Sequence, residues 1–459
     1  MDTYKQTSLF TLLFFTCFSL FSQTTPHIEG KVFVDMDTGL FRCDLKLTNV
    51  TSIKEYSILI NKGMNVKHFL DSNGVSLGYD GSRLKGEAFQ YVVGNSKGVM
   101  DLPNTFQVAY VGAFPKYDDS YNTFDFKGFI AMNDETIRAT EQTKWYPVIY
   151  DVKNDRLINS YRYNLEIEVK GASSIFMNGS APQKTTKGTF TSQKAVPLFL
   201  FAGNYDFVEN AGNYIINTKV TQEKASQIFQ NVKIIQDYLA KSLDQTFDGN
   251  IYLINHKAVN KRKKGSSWGF NTYPAFAFTG ENTFGNILTD EGKFSNGSYR
   301  YYAHEFGHNY FGNNVQSGKL YWFWLESFPE YLSFTFAQEI GGEPFYKEVI
   351  NSKLKSVSDK KYIPLSKITE ANQITGSYRY NMAPLILLSF DYEFGRSKMF
   401  EVLKELLVMA KKETLTLNHF KNAAKKSGVP TKAYQKFEKS YLSDKNFKEN
   451  IISYLKTKL

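Results

Sequence analysis

The spacing of hydrophobic positions changes about halfway along this chain. In residues 42–47, Cys43, Leu45 and Leu47 alternate with Arg42, Asp44 and Lys46. In residues 164–169, Leu165, Ile167 and Val169 alternate with Asn164, Glu166 and Glu168. A period of two sends the two sets to opposite faces of a strand, one buried and one solvated. Turn signals recur at Asp71-Ser72-Asn73-Gly74, Asp80-Gly81 and Asn178-Gly179. Short amphipathic strands between turns predict antiparallel sheet, so residues 23–208 read as an antiparallel, β-sandwich-like domain. Cys43 belongs to the apolar face and reads as a small buried group.

From about residue 209 the period lengthens. Ile228, Val232, Ile235 and Leu239 fall at helical spacing, in a segment opened by Thr221 and Gln222-Glu223. Residues 250–255 and 273–278 read as short strands. Beyond Tyr331 the pattern is mostly helical, with candidate helices at 343–357, 381–392, 397–411, 417–427 and 448–458. The expected class is therefore α+β multidomain, with a second domain over residues 209–459 that is mainly helical.

The first 22 residues stand apart from both patterns. Lys5 precedes an apolar run over residues 9–20, too short to span a bilayer and typical of a secretory signal peptide. Export to the periplasm or the extracellular space is the expectation, with cleavage near Ser22 and Gln23. Removing the leader takes Cys17 and leaves one thiol, Cys43, so no internal disulfide can form. No later stretch is long and apolar enough for a membrane span. The net charge is +10, but the basic residues are scattered. The densest run, Lys261-Arg262-Lys263-Lys264, leads into Gly265-Ser266-Ser267 and reads as an exposed loop. A solvated basic surface, not nucleic-acid binding, is expected. The sequence is silent on oligomeric state.

Candidate chemistry is concentrated in residues 298–331. His304 and His308 are four apart, so on a helix both rings face one way and can hold one metal ion. Glu305 is rotated by about 100°, which aims it at a water beside the metal rather than at the metal. A catalytic zinc uses three protein ligands and keeps one position open. Glu326 and Glu330 lie one turn apart on the following run; either could be the third ligand, and the other could orient a ligating imidazole. One Zn2+, a general base and an open coordination position together point to amide hydrolysis.

The segment His304-Glu305-Phe306-Gly307-His308-Asn309-Tyr310-Phe311-Gly312-Asn313-Asn314-Val315, followed by Trp324-Leu325-Glu326-Ser327-Phe328, resembles the aminopeptidase N family of gluzincin zinc metallopeptidases. The family pattern is HExxH, an aromatic, Phe-Gly-Asn, then Trp-Leu and Asn-Glu-Gly-Phe. Here 17 residues separate His308 from Glu326, one fewer than in the family, and Ser327 replaces a glycine. The resemblance implies that Glu326 is the third zinc ligand. Gly280-Glu281-Asn282 is similar to the end of the family's Gly-x-Met-Glu-Asn motif, which implies that Glu281 binds a substrate's free amino group. Residues 380–385 resemble the Tyr-x-Lys-Gly-Ala stretch, which implies that Tyr380 stabilises the transition state, with Tyr378 in reserve. Residues 23–208 are similar to the family's N-terminal β domain, and residues 209–459 to its thermolysin-like catalytic domain. The large C-terminal helical domain of many members has no counterpart, which is expected to open the cleft.

The expected activity is that of a zinc aminopeptidase acting on peptides or proteins, with His304, His308 and Glu326 on the metal, Glu305 as base then acid, and Tyr380 as oxyanion donor. Two rivals remain: a zinc endopeptidase with the same site, and a non-catalytic peptide-binding relative.

Overall fold

The computed structural model describes residues 25–118, 125–246, 249–257, 259, 268–279, 283–312, 315 and 317–459. The leader expected over residues 1–22, the basic run 261–264, Glu281 and the Asn313-Asn314 pair lie outside these residues.

The alternating segments build the first half. A 12-stranded sheet runs from Arg156–Ile158 at one edge to Lys187–Pro197 at the other. Its pairings are antiparallel except one, where His27–Asp35 lies parallel to Ser160–Lys170. The clean alternation at 42–47 belongs to strand Leu40–Thr48, in which Phe41, Cys43, Leu45 and Leu47 are buried. The Asp71 to Gly74 signal is a turn, closed by the Gly74 amide on the Asp71 carbonyl at 3.1 Å. Asp80-Gly81 is not a turn. It sits inside strand Ser76–Lys85, where the pairing register shifts between Asp80 and Arg83. A bulge uses the same small, turn-forming residues without reversing the chain.

A four-stranded sheet, ordered Ser174–Met177, Leu200–Gly203, Thr136–Ala139 and Ala131–Met132, forms a middle layer. Its alternation is consequential. Ile175, Met177, Leu200 and Ala202 face the core of the large sheet. Phe176 and Phe201 face the other way, where they pack with Phe199, Tyr252, Ile254, Phe270, Ala275 and Ala277. The last five belong to or border a five-stranded mixed sheet, ordered Phe207–Asn210, Asn213–Ile216, Tyr252–His256, Ala275–Thr279 and Gly269–Thr272. One strand set thus serves two cores, and a buried aromatic layer joins the two halves. The first strand of the five-stranded sheet straddles residues 208 and 209.

Helices cover the other face of that sheet. They are α1 (Gln222–Leu243), α2 (Asn296–Gly307), α3 (Phe328–Val357), α4 (Ala383–Phe394), α5 (Arg396–Ala410), α6 (Leu417–Lys426), α7 (Thr431–Phe437) and α8 (Phe447–Lys456). Thr221 caps α1 through its side-chain oxygen, as its position before the apolar run predicts. Helix α3 merges the run starting at Phe328 with the helix expected at 343–357; Gly342, at φ 68° and ψ −176°, breaks it between the two. Helix α7 was not expected. It is one short segment behind Pro430, anchored by Tyr434 and Phe437. No helix among the described residues is long and apolar enough to cross a membrane.

Candidate metal centre and active site

Helix α2 starts at Ser295, whose hydroxyl accepts from the Ser298 amide at 3.1 Å. Tyr299, Tyr302, Ala303 and Phe306 bury its apolar face, and Phe276 stacks on Phe306 with centroids 4.1 Å apart. His308 caps the helix but keeps right-handed helical dihedrals, so the four-residue spacing places His304 and His308 one above the other. Their rings lie 4.9 Å apart and nearly perpendicular. Gly307 lets α3 come close: a Cβ there would stand 2.9 Å from Pro329 Cα.

Glu326 reaches the same point from another element. It sits in a π-helical turn, Phe323–Ser327, immediately before α3. Phe323, Trp324 and Phe328 are buried and packed ring against ring, Phe323 edge to face on Phe328, which fixes the turn and leaves Glu326 facing α2. Glu326 Oε2 is 3.5 Å from His304 Nε2 and 3.4 Å from His308 Nε2. All three residues have a ligand atom within 4.8 Å of the others. Tetrahedral zinc with bonds of about 2.0–2.2 Å has ligand-to-ligand edges of roughly 3.3–3.6 Å. The two edges that meet at Glu326 Oε2 therefore have the length of zinc-face edges. Glu326 Oε2 is buried and, beyond those long approaches, has no hydrogen-bonding partner among the described residues. A buried carboxylate oxygen left in this state is costly unless something cationic meets it. Two imidazoles and one carboxylate suit zinc, and the residues present fit the ion.

Glu330 does not join the triangle. Its Oε2 lies 2.8 Å from His304 Nδ1, the nitrogen turned away from the site. Its Oε1 takes Arg300 Nη1 at 2.8 Å and Lys353 Nζ at 2.7 Å. Lys353 also donates to the Tyr380 carbonyl at 2.9 Å. Burial would raise the Glu330 carboxyl, but His304, Lys353 and Arg300 hold it well below the ordinary range. Burial likewise works against Glu326, and the two imidazoles overcome it and keep the carboxyl low. For His304 burial disfavours the charged ring, yet Glu326 and Glu330 raise its pKa to about 10 in the absence of a competing cation.

Glu305 is buried on the flank of the same helix, and desolvation raises its carboxyl above the usual value. Asn271, on strand Gly269–Thr272, donates to the Glu305 carbonyl at 3.1 Å and to Asn309 Oδ1 at 2.9 Å. The next residue, Thr272, donates to Glu141 Oε2 at 3.0 Å, and Lys127 bridges Glu141 to the Asn271 carbonyl at 2.5 Å each. The β half therefore braces the strand that borders the metal helix.

Tyr380 sits in a second π-helical turn, Tyr378–Met382, which leads into α4. Its ring is 5.8 Å from that of His304. Burial raises its hydroxyl, and the Glu326 and Glu305 carboxylates raise it further, so it stays a donor at neutral pH. Tyr378 points elsewhere and donates to the Ile363 carbonyl at 2.8 Å. Sequence reasoning missed Arg300 and Lys353, although Arg300 stands four residues before His304, a helical signal. It also missed Tyr301, one turn before Glu305, whose hydroxyl is raised by burial and by that carboxylate. Asn271 carried no signal, because a lone asparagine on a strand has none.

No family model matches the chain, and no curated protein matches its sequence. Solved structures do match. An M1 zinc metallopeptidase from Deinococcus radiodurans superposes with a TM-score of 0.63 at 13% identity, covering 92% of this chain and 93% of that one. A mutant of an M1 zinc metallopeptidase from the same organism, bound to a Tyr-Ser-Ala substrate, gives 0.61 at 13% identity, over 92% and 94%. Leukotriene A4 hydrolase from Saccharomyces cerevisiae gives 0.62 at 12% identity, over 91% of this chain and 67% of that one. This chain has the fold of the two-domain M1 metallopeptidases: a sheet-rich first half followed by a mainly helical domain.

Proposed function

We propose that this protein is a zinc metallopeptidase, and that it removes N-terminal residues from peptides. The observation that carries the reading is the triangle of His304 Nε2, His308 Nε2 and Glu326 Oε2, with edges of 3.4 and 3.5 Å about the carboxylate oxygen. These three residues would hold the ion. When bound, zinc supplies Lewis acidity and lowers the pKa of water to about 7. Glu305, whose carboxyl is desolvated beside the triangle, takes the proton of the attacking water and returns it to the leaving nitrogen. Tyr380 donates a hydrogen bond to the oxyanion as the carbonyl becomes tetrahedral. Glu330, clamped by Arg300 and Lys353, fixes the tautomer and angle of His304.

Aminopeptidase action rests on the motif resemblance, which assigns Glu281 to the substrate's ammonium. Export rests on the leader over residues 1–22. One observation favours the endopeptidase reading instead: the strand bordering the metal helix, Gly269–Thr272, carries no carboxylate, and its Asn271 amide is committed to Glu305 and Asn309. Hydrolysis of an aminoacyl amide by zinc-loaded protein, compared with its N-acetylated twin, separates these readings. Preference for the free amine is expected. Faster cleavage of the blocked twin selects the endopeptidase, and zinc-loaded protein that cleaves neither is left as a binding relative.

A further inference from the structure

Among the described residues, the cations around the site are paired, except one. Arg300 and Lys353 meet Glu330, and Lys127 meets Glu141. Arg379, between Tyr378 and Tyr380 on the second π-helical turn, meets no carboxylate and makes no side-chain hydrogen bond among the described residues; its Nε is buried without a partner. The guanidinium carbon lies over the aromatic wall of the site, 3.9 Å from the centre of the Trp322 ring and 5.2 Å from that of Tyr380. Trp322 stands one turn before Glu326. A half-buried guanidinium stacked on tryptophan is held in one orientation, which lowers the entropy lost when its fork takes a planar anion. Leaving it unpaired beside a cleft makes sense if the anion arrives with the substrate.

We propose that Arg379 is a specificity-determining residue that binds a carboxylate of the substrate, so that the site favours peptides bearing a negative charge close to the scissile bond. The identity of the ligand as a peptide rests on the metallopeptidase reading; the affinity for a carboxylate does not. That carboxylate is either the C-terminus of a very short peptide or an acidic side chain next to the cleaved bond.

Two substrate pairs distinguish these sources: a dipeptide against its C-terminal amide, and an amidated tetrapeptide with Glu beside the cleaved bond against its Gln twin. At least one acidic member should exceed its neutral twin in kcat/KM by roughly ten- to a hundredfold, the scale of a charge-assisted pair. Arg379→Gln should collapse that ratio towards one, mainly through KM, and Arg379→Lys should retain part of it. The dipeptide pair responding alone assigns the C-terminus; the Glu/Gln pair responding alone assigns the side chain. A wild-type ratio near one in both pairs overturns the proposal. So does an Arg379→Gln protein that slows both twins equally, because the guanidinium then only props Trp322. Calorimetric titration with 3-phenylpropionate and 3-phenylpropanamide needs no turnover. Stronger binding of the acid by wild type, lost in Arg379→Gln, supports the carboxylate site even if no peptide is hydrolysed; equal binding of the acid by both proteins refutes it.

Discussion

The Ser327 hydroxyl donates to the Arg379 carbonyl at 2.9 Å. This one bond joins the two π-helical turns that carry Glu326 and Tyr380. Turns of this kind are uncommon and tend to occur at functional positions, because the extra residue re-aims a side chain that a regular helix would point elsewhere. Ser327 is fully buried, so its hydroxyl cannot trade the bond for water. Ser327→Ala should cost about 1 kcal/mol of stability. It should also lower kcat more than it lowers zinc content, because it frees Tyr380 relative to the metal triangle. Thermal melting with parallel zinc analysis and kinetics checks this; a variant of reduced stability and full activity would show that the bond holds the fold and not the site.

Glu330 touches the far nitrogen of His304 and two cations. Glu330→Gln removes the charge that orients the imidazole and leaves Arg300 and Lys353 facing a neutral group. Zinc affinity should weaken by about 10–100-fold, the usual cost of losing such a partner. Competition with a chromogenic chelator measures it. Unchanged affinity would mean that His304 is positioned by helix packing alone.

Glu305 and Tyr380 should separate from the ligands in their effects. Glu305→Gln keeps the zinc and should lose about 10²–10⁴ in kcat, the range of a general acid–base group. Tyr380→Phe should lose about 10²–10³ in kcat with zinc content unchanged. Tyr378→Phe is the contrast: its hydroxyl is spent on the Ile363 carbonyl, so it should lower the melting temperature and leave turnover near that of wild type. A zinc-loaded, active Glu305→Gln protein would refute the proposed mechanism.

Burial pushes the Cys43 thiol up to about 12, against 9.0 for the free group. The folded protein therefore holds the thiol proton where the unfolded chain has lost it. Protons bound to the folded state are in excess between pH 9 and 12, so this group's contribution to stability falls as pH rises through that window. At pH 8 a disulfide reagent should label Cys43 only as fast as the protein opens, and at once in denaturant. Rapid labelling of the native protein would place the thiol at the surface.

The β half was legible because amphipathic strands write their two faces into alternate residues. The middle sheet was not, since its strands are buried on both sides: Phe176 and Phe201 serve one core while Ile175, Met177, Leu200 and Ala202 serve another. An unbroken apolar run such as 196–202 has no period to read.

At the site the same division holds. The sequence alone determined His304, Glu305 and His308 as a unit, because a helix relates residues four apart whatever surrounds it. Its four-residue spacing put Glu326 and Glu330 on one face, and the motif resemblance ranked Glu326 first. Only the approach of α2 to α3, at Gly307 against Pro329, decided which carboxylate faces the Nε2 atoms and which takes the Nδ1 of His304. The tertiary structure likewise set the Tyr380 ring beside His304 and the Tyr378 hydroxyl on the Ile363 carbonyl, set Lys353 between Glu330 and the Tyr380 carbonyl, and left Arg379 against Trp322 with no side-chain partner among the described residues. These are relations between residues far apart in the chain, fixed by how helices meet, and local periodicity holds no record of them.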